Sequence, residues 1–168
     1  MPYYLRAIYN NTKWDKSGFP EWLTEGDLPS CIVKDLSAAN NELSLWEITD
    51  SETNLMQVIT AIASQRQTSK DNFDYALLNT NYIDSINFTC LDKNGTTPYS
   101  DINSFHRDLS NLSLQKLMYF AFLLFKFGKF RRVLSKELKS SIQDAAKGNK
   151  LDLSKVPKPL KQELGINY

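Results

Sequence analysis

The only histidine of this chain, His106, is the first residue to consider for chemistry, because an imidazole titrates near neutral pH and can transfer protons. The helical spacing of Ile102, Phe105 and Leu109 predicts a short helix around it. In a helix Asp108, two residues further on, does not share a face with His106 and cannot orient its ring. No GxSxG segment presents a serine nucleophile either. We therefore assign no catalytic role to His106.

Metal and redox sites depend on clustered ligands, which the sequence does not provide. Cys31 and Cys90 lie far apart and match neither a zinc-binding nor a redox spacing such as CxxC, so we predict two reduced thiols packed in the core. The six glycines form neither GxxxxGK[ST] nor GxGxxG, the loops that hold phosphates. The sequence therefore predicts no metal site and no cofactor, and it indicates no catalytic residues.

Charge is distributed unevenly along the chain. Residues 1–111 contain 8 Lys/Arg and 15 Asp/Glu, a net charge of −7, whereas residues 112–168 contain 12 and 4, a net charge of +8, and the sum is +1. Such asymmetry indicates an interaction surface. It is equally typical of two parts of one fold that pack together and neutralise each other.

Nine consecutive apolar residues run from Leu117 to Phe125. A membrane span needs about 20, and lysines bound this run on both sides, so we reject a transmembrane helix. A helix that is apolar all round must be covered, by its own fold or by another chain. The core is the default, and an apolar contact with a partner is the alternative. The candidate apolar contact residues are Leu117, Phe120, Leu124 and Phe125, joined by Trp14 and Trp22 from the first long loop.

A basic amphipathic helix is predicted directly downstream, over residues 126–139. Apolar residues at helical spacing form one side of it, and basic residues form the other. The basic side could bind an acidic protein, could bind a nucleic acid through its phosphates, could lie on an anionic membrane surface, or could simply face solvent. The candidate basic contact residues are Lys129, Arg131, Arg132, Lys136 and Lys139.

The elements that must position these residues follow from periodicity and composition. Aromatic and β-favouring residues predict strands at 3–9, 43–48 and 73–79, and helical spacing predicts a helix at 51–66. The order strand, helix, strand over residues 43–79 predicts a βαβ unit with parallel strands and a right-handed crossover.

The second part of the chain is predicted to be helical. Helices are expected at 113–127 and 129–146, with a bend or break near Gly128, because an unbroken rod of about 50 Å is too long for a globule of this size. The predicted fold is therefore α+β. A small, mostly parallel sheet lies in residues 1–99, and a C-terminal helical layer in residues 100–168 covers one sheet face, the two parts packing as one domain.

Function is predicted by exclusion and from the charge map. The leading hypothesis is a non-catalytic accessory or adaptor protein that binds another protein or a second copy of itself. The first alternative is a nucleic-acid-binding protein that uses the basic helix 126–139. The second alternative is a small enzyme whose site is built from dispersed residues. The start of the chain has no secretory pattern, so we expect a cytoplasmic protein that does not associate with a membrane.

Overall fold

The computed structural model describes residues 2–9, 11–15, 17, 24–36, 42–49, 52–84 and 88–166. Its strands are β1 Tyr3–Ile8, β2 Leu43–Ile48, β3 Phe73–Asn79, β4 Thr89–Asp92, β5 His106–Ser110 and β6 Lys129–Val133. Its α-helices are α1 Ser30–Asp35, α2 Glu52–Ala63, α3 Asn81–Asp84, α4 Leu114–Phe127, α5 Ser135–Lys147 and α6 Lys158–Leu164. Short 3-10 helices span Asn11–Trp14, Glu25–Asp27 and Ser100–Phe105.

The strands form one sheet in the order β4-β5-β2-β1-β3-β6. Each neighbouring pair is antiparallel, so the α+β class is correct but the prediction of a mostly parallel sheet is wrong. β2 and β3, the strands of the predicted βαβ unit, do run in the same direction. They are not neighbours, however, because β1 lies between them and pairs antiparallel with both. The pattern strand, helix, strand does not reveal whether another strand lies between the two.

The prediction of a purely helical layer after residue 100 is also wrong, because this part contributes β5 and β6 to the sheet. The predicted helix around His106 ends at Phe105 as a 3-10 helix, and the backbone at His106 is already extended. The predicted helix 129–146 begins only at Ser135. Its first five residues are strand β6.

The predicted break at Gly128 is confirmed. Gly128 follows the last residue of α4 with extended backbone angles, φ −65° and ψ 143°, and its N–H donates to the carbonyl of Leu124. A Cβ at this position would collide with that same carbonyl oxygen. Only glycine therefore lets the chain leave α4 this closely and turn into β6.

Helices cover both faces of the sheet, not one as predicted. On one face α2, α5 and α6 pack over Leu5, Phe73 and Tyr75. On the other face α1, α3 and α4 pack over Leu45 and Leu78. Within this second layer α4 buries Phe120, Ala121, Leu123, Leu124 and Phe125, so most of its apolar run is covered within the fold.

Within the described part of the chain, no helix combines the length and the apolar character needed to cross a membrane.

Candidate functional site

The predicted basic residues do not share one helix face, because residues 129–133 are the edge strand β6. Side chains alternate between the two faces of a strand, so Lys129 and Arg131 lie on one face of the sheet and Arg132 lies on the other. Lys136 and Lys139 belong to a separate element, α5. The prediction of a continuous basic helix at 126–139 is therefore wrong.

Two of these five cations are paired with carboxylates. The guanidinium of Arg132 donates two hydrogen bonds to Asp74, from Nε to Oδ1 at 2.6 Å and from Nη2 to Oδ2 at 2.8 Å. The ammonium of Lys139 lies 3.2 Å from Oε1 of Glu163. Only the first pair joins the basic C-terminal part to the acidic N-terminal part, so this set of residues is neutralised in part.

The other three cations are exposed at the protein surface. Lys129 donates from Nζ to the hydroxyl of Tyr3 at 2.8 Å, and its ammonium lies 4.7 Å from the centre of the Tyr3 ring. Arg131 and Lys136 are exposed. Among the described residues, no carboxylate lies within ion-pair distance of Lys129, Arg131 or Lys136. The outer edge of β6 is therefore a positively charged strand edge.

The predicted apolar contact residues lie mostly inside the fold. Phe120, Leu124 and Phe125 are buried in the layer formed by α1 and α4, while Leu117 is half-buried at the margin of that layer. Trp22 lies outside the described residues. A partner-binding role for these residues stays a prediction, but the apolar surface of the first three is already covered within one chain.

Trp14 is buried against the edge strand. Its ring lies 5.2 Å from the ring of Phe130, centre to centre, and its indole N–H donates to Oδ2 of the buried Asp35 at 2.7 Å. The other oxygen of Asp35 accepts the backbone N–H of Tyr9. Trp14 therefore packs against one face of β6, on the side of Phe130.

A second candidate site, which the sequence analysis missed, lies at the other half of the sheet. The ladder between β1 and β2 ends at the pair Leu5 and Trp46, although β1 continues to Ile8 and β2 begins at Leu43. The two strands therefore diverge. Arg6 bridges this fissure by donating from Nη1 to the carbonyl oxygen of Ser44 at 2.9 Å.

A cavity of about 470 Å³ opens at the fissure. Its floor consists of sheet residues, its far wall is the segment 93–97 after β4, and the end of α2 closes one side. The lining residues are Arg6, Ala7, Glu42, Ser44, Trp46, Ile62, Gln65, Lys93, Asn94, Gly95, Thr96, Thr97, His106 and Asp108. Ligand-binding cavities in proteins have volumes of about 300–1,000 Å³, so this cavity is large enough for a small molecule.

His106 and Asp108 point into this cavity together. Because β5 is a strand, residues two apart share a face, which reverses the prediction that Asp108 points away from His106. The Nδ1 atom of His106 lies 2.7 Å from the carbonyl oxygen of Lys93. A carbonyl can only accept, so Nδ1 carries a proton and donates it to this carbonyl. Nε2 lies 3.5 Å from Oδ1 of Asp108.

Asp108 is the centre of the polar cluster, with a side chain that is only 5% exposed. Its Oδ1 accepts the hydroxyl of Ser44 at 3.0 Å, and its Oδ2 lies 3.2 Å from the ammonium of Lys93. The same ammonium lies 2.8 Å from Oε2 of Glu42. Hydrogen bonds to Glu42 and Asp108 raise the pKa of Lys93 above its ordinary value, so Lys93 is charged.

The aromatic wall of the cavity is fixed by close packing around a glycine. The rings of Trp46 and His106 meet edge to face with centres 4.9 Å apart. A Cβ on Gly95 would lie 2.7 Å from Trp46 and 2.9 Å from Oδ1 of Asn103. Glycine at this position therefore sets the approach of segment 93–97 to the floor.

One signal in the sequence could have revealed this site. The order His-x-Asp places both side chains on one face if the segment is extended, and on different faces if it is helical. The apolar spacing of Ile102, Phe105 and Leu109 favoured a helix through His106, but the helix ends at Phe105. The partners Ser44 and Glu42 are distant in sequence and have no local signal.

No family model, no curated protein and no solved structure matches this chain.

Proposed function

We propose that this protein is a non-catalytic accessory or adaptor protein, and that its partner protein adds an extended acidic segment along the outer edge of β6. The observation that supports this proposal is the position of β6. It is the last strand of the sheet, and within the described residues only β3 pairs with it. An unpaired edge offers backbone N–H and C=O groups to an added strand.

The charges on this edge favour an acidic partner. Lys129 and Arg131 project from the same face two residues apart, so carboxylates at alternate positions of an added strand would lie beside both. Edge-to-edge pairing of β6 from two copies of this chain would instead place these cations opposite like charges, which is unfavourable. The charge pattern therefore argues for a different chain and against a second copy at this edge.

A nucleic acid fits this surface less well. Nucleic-acid affinity comes from the neutralisation of many phosphates, and the basic residues here are divided between β6 and α5, with Arg132 and Lys139 engaged by carboxylates. One continuous basic helix would have favoured nucleic acid, but residues 126–139 do not form one.

Hydrogen exchange of the β6 amides tests the proposal. The probes are a synthetic peptide with glutamate at alternate positions between threonine and valine, the same peptide with lysine in place of glutamate, and oligothymidylate. We expect the acidic peptide alone to slow exchange in β6, because an added strand protects edge amides, and we expect added salt to weaken this protection.

The matched variants separate charge at the edge from total charge. Lys129→Glu combined with Arg131→Glu should abolish the protection. Lys150→Glu combined with Lys158→Glu removes the same number of exposed cations elsewhere and should leave it intact. Protection by oligothymidylate in place of the peptide would establish the nucleic-acid alternative, and the absence of protection by any probe would remove β6 as a docking edge.

A further inference from the structure

We propose that the fissure between β1 and β2 binds a small molecule through its primary ammonium group, and that the side chain of Lys93 occupies the position of this ammonium until the ligand replaces it. This site lies on the far side of the sheet centre from β6, and the proposal is independent of the adaptor function.

Two carboxylates of the cavity converge on one ammonium position. Oδ2 of Asp108 and Oε2 of Glu42 both contact the ammonium of Lys93, at 3.2 and 2.8 Å. Nε2 of His106 lies 3.5 Å from the other oxygen of Asp108. A primary ammonium has three N–H donors and no acceptor, so it can donate to both carboxylates at once.

The ammonium of Lys93 occupies the position that we propose for the ammonium of the ligand. Its side chain is 54% exposed although its ammonium contacts two carboxylates of the cavity, so it reaches the cluster from the mouth and can return to water. An exposed lysine loses much side-chain entropy when it is held in one position. A ligand ammonium that brings its own apolar contacts into the cavity can therefore compete with it.

The charge balance of the lining favours a ligand with one positive charge. With Lys93 in place, two carboxylates, Glu42 and Asp108, face two cations, Lys93 and Arg6. When Lys93 moves into water, one negative charge is left in excess. One ammonium restores neutrality, whereas an anion would add to the imbalance.

The rest of the cavity defines the body of the ligand. Ala7 and Ile62 offer apolar surface, and the indole of Trp46 forms an aromatic wall. Small side chains at Ala7 and Ser44 create the free volume on the floor of the sheet. The ligand class is therefore a compact primary amine with an apolar or aromatic body.

Titration of the full chain with phenethylamine, followed by NMR of the indole and imidazole resonances, tests the proposal. We expect binding at millimolar concentration or below and displacement of the Lys93 ammonium. Lys93→Met should bind phenethylamine about tenfold more tightly than the wild type, because the internal competitor is gone. Lys70→Met, an exposed lysine outside the cavity, should leave the affinity unchanged.

Two further measurements make the outcome decisive. Glu42→Gln at the mouth and Asp108→Asn in the floor should each weaken binding by about tenfold, since each removes a charged acceptor. The matched alcohol, 2-phenylethanol, should bind much more weakly than the amine. Equal binding of the alcohol would show an apolar cavity without ammonium recognition. Failure of Lys93→Met to bind the amine, or tighter binding of acetate than of the amine, would also overturn the proposal.

Discussion

Arg132 and Asp74 stand directly opposite each other on β6 and β3, and the guanidinium of the first donates two parallel hydrogen bonds to the carboxylate of the second, at 2.6 and 2.8 Å. Asp74 is buried while Arg132 remains partly exposed. This pair fixes the register of the edge strand with the geometry that makes arginine–carboxylate pairs specific.

Loss of Arg132 should therefore destabilise the protein more than loss of its neighbour Arg131. Arg132→Met leaves a buried carboxylate without its bidentate donor, whereas Arg131→Met removes a side chain that faces solvent. Thermal unfolding of both variants measures the difference. Combining Arg132→Met with Asp74→Asn should recover part of the loss, because the buried charge is then absent. Equal losses for Arg131→Met and Arg132→Met would contradict the role of the pair.

This pair also illustrates what local sequence could not predict. The segment Lys-Phe-Arg-Arg-Val fits a helical wheel when it is joined to the apolar residues after it, and its partner Asp74 is 58 residues away. Whether such a segment is helix or strand depends on which strand lies beside it, and that is a property of the tertiary fold. The same limit applies to His106, because the helix predicted to continue to Leu109 ends at Phe105 and His106 begins β5.

Elements with strong internal periodicity were predicted nearly to the residue. The strands at 43–48 and 73–79 agree with β2 and β3, and the helix at 113–127 agrees with α4. The partners of these strands could not be predicted, because β1 lies between β2 and β3. Likewise, the pairing of β4 with β5 joins two segments that are separated by a long connection, and no local signal predicts it.

Glu163 should make stability depend on pH in the acid range. Its carboxylate accepts hydrogen bonds from the hydroxyls of Thr68 at 2.7 Å and Ser69 at 2.8 Å, and Lys139 lies beside it. These contacts lower the pKa of Glu163 from 4.5 to about 2, and the hydrogen bond from Thr68 has the largest effect. A group with a depressed folded-state pKa contributes stability above its unfolded pKa.

That contribution should be fully present above a pH of 4.5 and should be lost as the pH falls towards about 2. Denaturant unfolding of wild type and Glu163→Gln across this range is the measurement. The variant should be less stable than the wild type at neutral pH, and the two should converge in acid. Glu137→Gln, which alters an exposed carboxylate in α5, serves as the control. A constant difference between wild type and Glu163→Gln at all pH values would refute the linkage.

Gly128→Ala should disrupt the passage from α4 into β6. The added Cβ would overlap the carbonyl oxygen of Leu124, which is backbone and cannot move aside without fraying the helix end. We expect a loss of about 1–3 kcal/mol in the free energy of unfolding, as for other overpacked positions. Gly26→Ala is the matched control, because its Cβ would meet only Thr24 Oγ1 at 3.8 Å, and it should change stability by less than about 0.5 kcal/mol.

Phe120→Ala should show that α4 is part of the core. Phe120 is 1% exposed and packs in the layer with α1, so its truncation should cost about 3–5 kcal/mol. Leu114 lies on the same helix but is 69% exposed, and Leu114→Ala should cost less than about 0.5 kcal/mol. Chemical unfolding of both variants at several protein concentrations distinguishes a core residue, whose cost does not depend on concentration, from an interface residue, whose cost does. A loss for Leu114→Ala that shrinks on dilution would indicate that this end of α4 contacts a second copy.

The two thiols should differ in reactivity, contrary to the prediction that both are packed in the core. Cys31 is exposed on α1, while Cys90 is half-buried on β4. Burial raises the pKa of Cys90, and its sulfur lies 3.8 Å from the hydroxyl of Tyr4. The thiolate is the reactive form. Cys90 should therefore react more slowly than Cys31, because a smaller fraction of it is ionised and because reagents reach its half-buried sulfur less easily.

Alkylation near neutral pH, followed by mass spectrometry of peptides, should therefore label Cys31 first. Cys31→Ser should remove the fast phase, and Cys90→Ser should leave it unchanged. Because β4 is an edge strand that pairs only with β5 among the described strands, the slow phase reports the opening of this edge. Adding denaturant below the unfolding transition should speed the labelling of Cys90 if β4 opens locally. Equal labelling rates for both thiols in the native protein would mean that β4 is already open, and the wall of the fissure that follows it would then be open as well.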